Sequence, residues 1–391
     1  MSLTPAVWGL AREGLRPDAE RVLEVAREET SALGTRRVAT SARDLSARVL
    51  GAGPLEGWLA EPAVTDVLVN GDGRIWVDRG HGMECVGERL GTDQVRHLAV
   101  RLAGVAGRRL DESSPWVDGQ LPDGSRLHAV LPPLVAGGAH ITIRVPARSH
   151  PSLADLAAAG MFPAGWVRLL SAVVQRRRSF VVSGGTGAGK TTLLAALLGC
   201  VPPAERLVLV EDVRELHVAH PHVVRLEARR PNVEGVGDVG LTVLLRQALR
   251  MRPDRIVVGE VRGEEVRELL AALNTGHEGG CGTLHANAAE DVVARFEALG
   301  ALAGLNRAAV GVQLGAAVQL VLHVSRSSGV RRLESIGVLD RTGETPDVLP
   351  AAHWRGQLVA RGPGWDRLRG LVGSAALDGC EVTDAPPVDA A

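Results

Sequence analysis

The 391-residue chain is poor in several residue types, and each shortage argues against a class of protein. It has three Phe and no Tyr, so side chains on which the bases of a single nucleic-acid strand could stack are scarce. The formal net charge is -1, so no global basic field exists to hold nucleic acid or an anionic membrane. The four cysteines lie far apart without a CxxC pair, which indicates neither a zinc ribbon nor a disulfide framework.

The chain also lacks a long uninterrupted apolar run. The most apolar window, residues 302–324, is broken by Asn306, Arg307 and Gln313, so it predicts a buried helix and strand rather than a membrane span. The first 13 residues lack the basic-then-apolar order of a signal peptide. With 45% hydrophobic and 23% charged residues the composition is that of a globular protein, and we expect any membrane contact to be peripheral or through a partner.

Lysine is the rarest of the basic residues. Of the 44 Lys and Arg residues, only Lys190 is a lysine. A lysine has a compact ammonium group on a thin stem, whereas arginine carries a broad planar fork. Where this chain needs an ordinary positive charge it uses arginine, so Lys190 marks a position that a guanidinium group would not fit.

Lys190 lies in a glycine-rich segment between a predicted strand and a predicted helix. The order G-x-x-x-x-G-K-T after an apolar strand is the pattern of a phosphate-binding loop. Its glycines let backbone N–H groups converge on phosphate oxygens, and the following helix adds its positive end. In this pattern the lysine reaches the β- and γ-phosphates, and the hydroxyl after it can ligate Mg²⁺. We therefore predict a nucleotide, for which the family resemblance given below implies ATP, and Mg²⁺ as cofactors, with the nucleotide bound by Gly184, Gly185, Thr186, Gly187, Ala188, Gly189, Lys190, Thr191 and Thr192.

The pattern of the chain divides it into five segments. Short strands and a helix predict a mixed α/β domain, whereas later apolar runs without alternation, separated by helices, predict a mainly parallel sheet buried on both faces. The fold class is therefore α/β in both parts. We expect an N-terminal helical segment at residues 1–50, an α/β domain at 51–145, a linker at 146–152, a phosphate-loop domain at 153–342, and a partly disordered C-terminal extension at 343–391.

Polar residues follow three of the predicted parallel strands. Parallel sheets bind ligands at the carboxyl ends of their strands, so these residues should face the phosphates. Glu260 is the only carboxylate at its strand end, because Gly259 precedes it, and we expect it to hold Mg²⁺ through water. Glu215 is the candidate base for the attacking water, although each acid taken alone could be a solvated loop carboxylate. The residues expected at this edge are Glu211, Asp212, Glu215, Glu260 and His285. The candidate metal ligands besides Glu260 are Thr191 of the phosphate loop and two members of that set, Glu211 and Asp212.

Four blocks together resemble the secretion traffic ATPases of type II and type IV secretion and pilus systems. They are the phosphate loop at 184–191, an acidic box at 211–216, a second phosphate-loop motif at 258–263 and a histidine box at 282–287. Gly259 stands where most such enzymes have Asp. The segments 64–71, 222–227, 249–254 and 274–279 are most similar to the branch that assembles tight-adherence (Flp-type) pili.

The resemblance implies a RecA-like motor domain preceded by a smaller α/β domain, in a hexameric ring at the inner face of the cytoplasmic membrane. It implies a polytopic inner-membrane platform protein as partner, and motion driven by ATP hydrolysis that moves pilin or another substrate. By the same resemblance Glu215 matches the catalytic glutamate, His285 a sensor of the γ-phosphate, and Arg126 and Arg144 the arginines that reach the phosphates. Weaker candidates for that task are Arg225, Arg229 and Arg262.

Other classes of function fit the sequence less well. A RecA-like nucleic-acid motor is the alternative, but it would want a basic channel with stacking aromatics. A regulatory GTPase would need a second lysine for its guanine motif, and an ABC transporter subunit would need a Ser-Gly-Gly-Gln run. A binding module without catalysis would have lost Glu215 or Glu260, and both are present.

Overall fold

A computed structural model describes residues 51–80, 82–146, 151–229, 236–327, 329–343, 345–354, 356, 358–380 and 382–384. The predicted N-terminal helical segment at 1–50 and most of the predicted linker lie outside these residues. The chain divides into two compact units between Arg148 and Ser149. In the described part of the chain, no helix has the length and apolar character needed to cross a membrane.

In its described residues, the first unit has a six-stranded antiparallel sheet and two α-helices. The sheet order is β3-β2-β1-β6-β5-β4, and the hydrophobic core lies between the sheet and the longer helix. The tight turn between the first two strands has a hydrogen bond from Gly73 N to Asn70 O (2.8 Å), with Gly73 at a φ of 83° that favours glycine. The elements are α1 (Glu56–Ala60), β1 (Asp66–Val69), β2 (Arg74–Asp78), β3 (Met83–Arg89), α2 (Thr92–Val105), β4 (Trp116–Gln120), β5 (Arg126–Val130) and β6 (His140–Arg144).

The second unit contains a ten-stranded sheet in the order β16-β15-β14-β13-β12-β7-β11-β10-β8-β9. The six strands from β12 to β9 run parallel, so their carboxyl ends share one edge. The strands are β7 (Phe180–Gly184), β8 (Leu207–Glu211), β9 (Val223–Glu227), β10 (Arg255–Val261), β11 (Cys281–Leu284), β12 (Leu320–Ser327), β13 (Val330–Asp340), β14 (Asp347–Trp354), β15 (Val359–Arg361) and β16 (Val382–Asp384). The helices are α3 (Leu153–Ala158), α4 (Trp166–Gln175), α5 (Lys190–Leu198), α6 (Leu241–Ala248), α7 (Val266–Asn274), α8 (Asp291–Leu302), α9 (Arg307–Ala317) and α10 (Trp365–Val372).

The central strands are buried on both faces, as their unbroken apolar sequences predict. Alternate residues of one strand pack into different cores: Leu207 and Leu209 into one, Val208 and Val210 into the other. Helices α3, α4, α5 and α10 cover the first face, and α6 to α9 cover the second. This double covering makes the sheet a rigid support for the loops at its carboxyl edge.

The residues of the predicted C-terminal extension continue the same sheet. The expected boundary at 342 falls between β13 and β14, and β14 pairs with β13 through a register that includes Asp340 opposite Asp347. Trp365 and Leu368 of α10 are buried in the core of the sheet's first face. Short strands after 343, separated by glycine and proline, carry no strong sequence signal because their stability comes from pairing with strands formed earlier in the chain.

Candidate functional site

The phosphate loop is formed by a strand that ends at Gly184 and a helix that begins at Lys190. Gly187 and Gly189 have φ angles of 69° and 98°, which only glycine adopts readily and which turn successive N–H groups inward. Gly184 is needed for another reason: an added Cβ would lie 2.1 Å from the carbonyl oxygen of Val324 on β12. The loop therefore requires glycine at these positions for its path as well as for ligand access.

Lys190 is nearly buried, at 7% exposure, and its ammonium group lies in the loop that it follows. Nζ donates to the carbonyl oxygens of Gly184 and Gly185, both at 2.9 Å, and lies 3.4 Å from Nδ1 of His285. Burial lowers the pKa of Lys190, and the charges of Glu260 and Glu215 oppose that shift. The only lysine is thus a desolvated cation surrounded by backbone oxygens, with two carboxylates close enough to act on its charge.

His285 and Glu260 form a pair beside this ammonium group. Nε2 of His285 lies 2.7 Å from Oε1 of Glu260, while Nδ1 faces Lys190. Nη1 of Arg262 lies 3.7 Å from Oε2 of Glu260, and the guanidinium group also pairs with Asp212. All four blocks named above therefore meet at one place: the phosphate loop, the second phosphate-loop motif and the histidine box through these contacts, and the acidic box through Asp212.

Glu211 has a different environment from the other acids. Its carboxylate is buried, and Oε1 accepts hydrogen bonds from the backbone N of Glu215 (2.9 Å) and of Leu216 (2.7 Å). Burial raises the pKa of Glu211, and these two hydrogen bonds oppose the rise. The side chain thus holds the turn that presents Glu215, which is itself exposed at the edge of the sheet.

The geometry also explains why glycine precedes Glu260. A Cβ built on Gly259 would lie 2.8 Å from Cγ of Glu211, so the Glu211 side chain occupies the space that an Asp side chain would need. A second buried carboxylate, Glu265, holds the turn that follows β10, as Glu211 holds the turn that follows β8. It accepts hydrogen bonds from the backbone N of Arg262 (2.7 Å) and Gly263 (2.9 Å). Each buried acid therefore shapes the turn that follows one strand.

The two arginines predicted in the first unit lie side by side on its sheet. Arg126 of β5 is directly opposite Arg144 of β6, and Arg144 is opposite Asp66 of β1. Nε of Arg144 donates to Asp66 Oδ1 at 2.9 Å. The side chain of Arg144 is 63% exposed, so it keeps contact with solvent despite this pair.

Of the weaker candidates, Arg225 acts locally through its charge and Arg229 through a hydrogen bond. Arg225 on β9 carries a charge that acts on Glu211, and burial lowers its pKa. Nε of Arg229 donates to the carbonyl oxygen of Gly237 at 2.6 Å, across an isolated bridge between Arg229 and Val239. These contacts favour structural roles for both.

The structure adds residues that sequence reasoning missed. Nε of Arg331 on β13 donates to the carbonyl oxygen of Gly187 at 3.1 Å, and Thr283 Oγ1 donates to the carbonyl oxygen of Gly259 at 2.6 Å. A cavity of about 610 Å³ beside the loop is lined by Gly185, His285 and Arg295, among others. Arg331 is 141 positions beyond Lys190 and follows no motif, so no local pattern could have linked it to the loop.

The residues present fit a nucleotide and a magnesium ion. The inward N–H groups, the helix start at Lys190 and the buried ammonium group suit a polyphosphate. Among the described residues no group of three or more His, Cys, Asp and Glu side chains is arranged to hold a metal. Mg²⁺ keeps several waters and binds through one or two protein oxygens plus phosphates, so Thr191 and Glu260 would suffice as its protein donors.

Known proteins match the chain over most of its length. A family model described as "Type II/IV secretion system protein" matches residues 49–340. A putative conjugal transfer protein of Mycobacterium tuberculosis is 55% identical over 315 residues, which cover 78% of this chain and 90% of that protein. The conjugal transfer protein TrbB of Rhizobium radiobacter is 34% identical over 284 residues, 71% of this chain and 84% of its own length.

Solved structures share the fold. The pilus retraction motor PilT with bound ADP has a TM-score of 0.52 at 20% identity, covering 83% of this chain and 87% of that chain. At this identity the likeness shows the fold alone. The alternative interpretation as a nucleic-acid motor has no support among these matches, whereas the expected family and the expected α/β fold are confirmed. Because the family model covers the first sheet, the six parallel strands of the second and the whole site around Lys190, the chain belongs to the type II/IV secretion system protein family and is a P-loop ATPase, the ATP-driven motor of a secretion system.

Proposed function

We propose that this chain is the motor subunit of a hexameric ring at the inner face of the cytoplasmic membrane, which moves pilin or another substrate through a polytopic platform protein. Support comes from the motifs shared with the Flp-type pilus branch and from the names of the relatives. Those names cover conjugal transfer and, in PtlH of Bordetella pertussis (35% identical over 266 residues), type IV secretion. The cargo therefore varies among proteins that share this site, and the motor is the common element.

The observation that carries the proposal is the meeting of Lys190 with His285 and Glu260 at the end of three strands. Lys190 binds the β- and γ-phosphates of ATP, and Glu215 orients the attacking water from the turn that Glu211 holds. Thr191 and Glu260 would supply the protein oxygens for Mg²⁺, which when bound would neutralise phosphate charge. His285 reports the presence of the γ-phosphate to Glu260, and Arg126 and Arg144 stabilise charge on the phosphates. Asp212 pairs with Arg262, and Glu211 accepts hydrogen bonds from backbone amides. Both acids therefore hold the conformation of the acidic box.

Steady-state ATP hydrolysis by wild type and Lys190→Ala tests this proposal. We expect turnover to fall at least about 100-fold, because the fixed charge on the phosphates is lost. The matched control is Arg332→Ala, which also removes one positive charge. The guanidinium carbon of Arg332 lies 5.8 Å from the centre of the Trp354 ring. Equal turnover in Lys190→Ala and wild type, with the control also unchanged, would overturn the ATPase site.

The ring is tested separately from the chemistry. Mass photometry of the full chain with a non-hydrolysable ATP analogue should show a six-subunit species that the nucleotide-free protein populates less. A chain that stays monomeric under all these conditions, and whose turnover rises with single-stranded DNA, would contradict the ring at a membrane platform.

A further inference from the structure

A buried histidine joins the phosphate loop to the histidine box. His323 on β12 is 5% exposed, and its Nδ1 lies 3.0 Å from Oγ of Ser183, which is fully buried on the neighbouring strand β7. Ser183 directly precedes Gly184, the first glycine of the loop, and the register places His323 opposite it. The imidazole thus contacts the strand at the point where the phosphate loop leaves it.

The same ring has a partner on the other side. Burial lowers the pKa of His323, and the charges of Glu334 and Glu290, then a hydrogen bond to the backbone of Asn287 and the charge of Asp291, oppose that shift. A contact that favours the protonated ring is one in which the ring donates, so the Asn287 carbonyl oxygen accepts. Asn287 ends the histidine box that carries His285, and β11, which leads into that box, pairs with β7.

These contacts fix the tautomer of the ring. Burial favours the neutral imidazole, which has one donor and one acceptor nitrogen. With Nε2 donating to Asn287, Nδ1 must accept from the Ser183 hydroxyl. Each nitrogen is then used once, and one rigid ring spans two loops that come from segments about 100 residues apart in sequence.

We propose that His323 is a positioning residue for ATP hydrolysis, which sets the distance between Lys190 on the phosphate loop and His285 in the histidine box. This inference rests on the proposed function of that site. His323 touches neither Lys190 nor the Glu260 pair in the contacts described above, so it acts through Ser183 and Asn287. Rate depends strongly on such alignment, and displacements of about 1 Å reduce turnover by about 100-fold.

Two variants separate the ring from its hydrogen bonds. His323→Phe keeps an aromatic ring but loses both contacts, whereas His323→Gln keeps a side-chain amide N–H as a donor for the Asn287 carbonyl oxygen. We expect kcat to fall about tenfold or more in the Phe variant and to recover substantially in the Gln variant. Affinity for a fluorescent ADP analogue should stay within about threefold of wild type, since the loop amides and Lys190 remain.

Hydrogen–deuterium exchange of the nucleotide-free chain gives a readout that does not depend on activity. In His323→Phe we expect faster exchange at both 185–189 and 285–287, and in Ser183→Ala mainly at 185–189. The matched control is His353→Phe, since His353 is half-buried on β14 of the same sheet and pairs with β13 rather than with the strand of the loop.

The outcomes distinguish this inference from the proposed function. Any of three results would overturn the positioning role. His323→Phe could show the turnover and exchange of wild type, or His323→Gln could be as impaired as His323→Phe. In the third, exchange in His323→Phe would be faster across the whole second unit. Absence of ATP hydrolysis by the wild-type chain, or full activity in Lys190→Ala, would overturn the proposed function. The exchange pattern would still decide whether His323 positions the two loops.

Discussion

The two edges of the parallel sheet use a buried cation in opposite ways. At the amino edge Arg255 is 1% exposed and its Nε lies 2.7 Å from Glu205, which Arg177 also approaches at 3.3 Å. At the carboxyl edge the buried Lys190 donates to carbonyl oxygens, and the carboxylates act on it from further away. A buried cation that already has an ion-pair partner supports the fold, and one that has only neutral acceptors is suited to receive an anionic ligand.

The first prediction tests the carboxyl edge with the largest expected effect. Glu215→Gln should lower kcat about 100-fold or more while ATP binding is retained, because the candidate base loses its charge and keeps its shape. Single-turnover hydrolysis and a binding titration separate the two effects, with Glu260→Gln measured alongside. Normal turnover in Glu215→Gln together with slow turnover in Glu260→Gln would transfer the role of base to Glu260.

The second prediction tests the amino edge. Arg255→Met should lower the free energy of unfolding by about 3 kcal/mol, because it leaves Glu205 without its main buried partner. Turnover per folded molecule should stay within about twofold, since this edge is opposite the phosphate loop. Denaturant unfolding and ATPase assays on the same sample check both. A loss of turnover without a loss of stability would show that the two edges do not divide fold and function in this way.

The third prediction extends the comparison to the first unit. Arg126→Ala or Arg144→Ala should lower kcat about tenfold, with a smaller change in nucleotide affinity, because transition-state charge is what such arginines stabilise. Arg74→Ala is the matched control, since Arg74 is an exposed arginine of the same sheet that pairs with Asp72. If affinity falls and turnover of bound ATP does not, the two arginines are binding residues only.

The smallest effect is expected at Glu211, the buried acid of the carboxyl edge. Glu211→Gln keeps an oxygen for the two backbone amides, so turnover should change less than threefold and stability by less than about 1 kcal/mol. Burial raises the pKa of Glu211, so the folded state binds its proton more tightly than the unfolded state. Wild type should therefore lose stability relative to the Gln variant as pH rises from about 4.5.

Melting temperatures of both proteins between pH 4.5 and 8 measure this difference. A gap that stays constant with pH would show that Glu211 titrates alike in both states. A collapse of ATP turnover in Glu211→Gln would instead favour a direct role for this carboxylate in holding metal.

Sequence reasoning worked best where a requirement is met by neighbouring residues. The strand at 180–184, the glycines with positive φ and the helix beginning at Lys190 form one contiguous stretch, and the structure has each element there. Strands with unbroken apolar sequences are predictable for the same reason: the apolar run at 207–210 lies within β8. The strands at 83–89 and 116–120 have largely exposed or half-buried side chains and no clear alternation, so no local pattern predicts them.

By itself the sequence determined the family, the phosphate loop and the acids at the strand ends, because backbone conformation and strand burial are set by adjacent residues. Only the tertiary structure decided that Glu211 turns inward over Gly259, that His285 pairs with Glu260, and that His323 meets Ser183 from 140 positions away. Those contacts depend on which strands become neighbours, and strand order is fixed by the packing of the whole sheet.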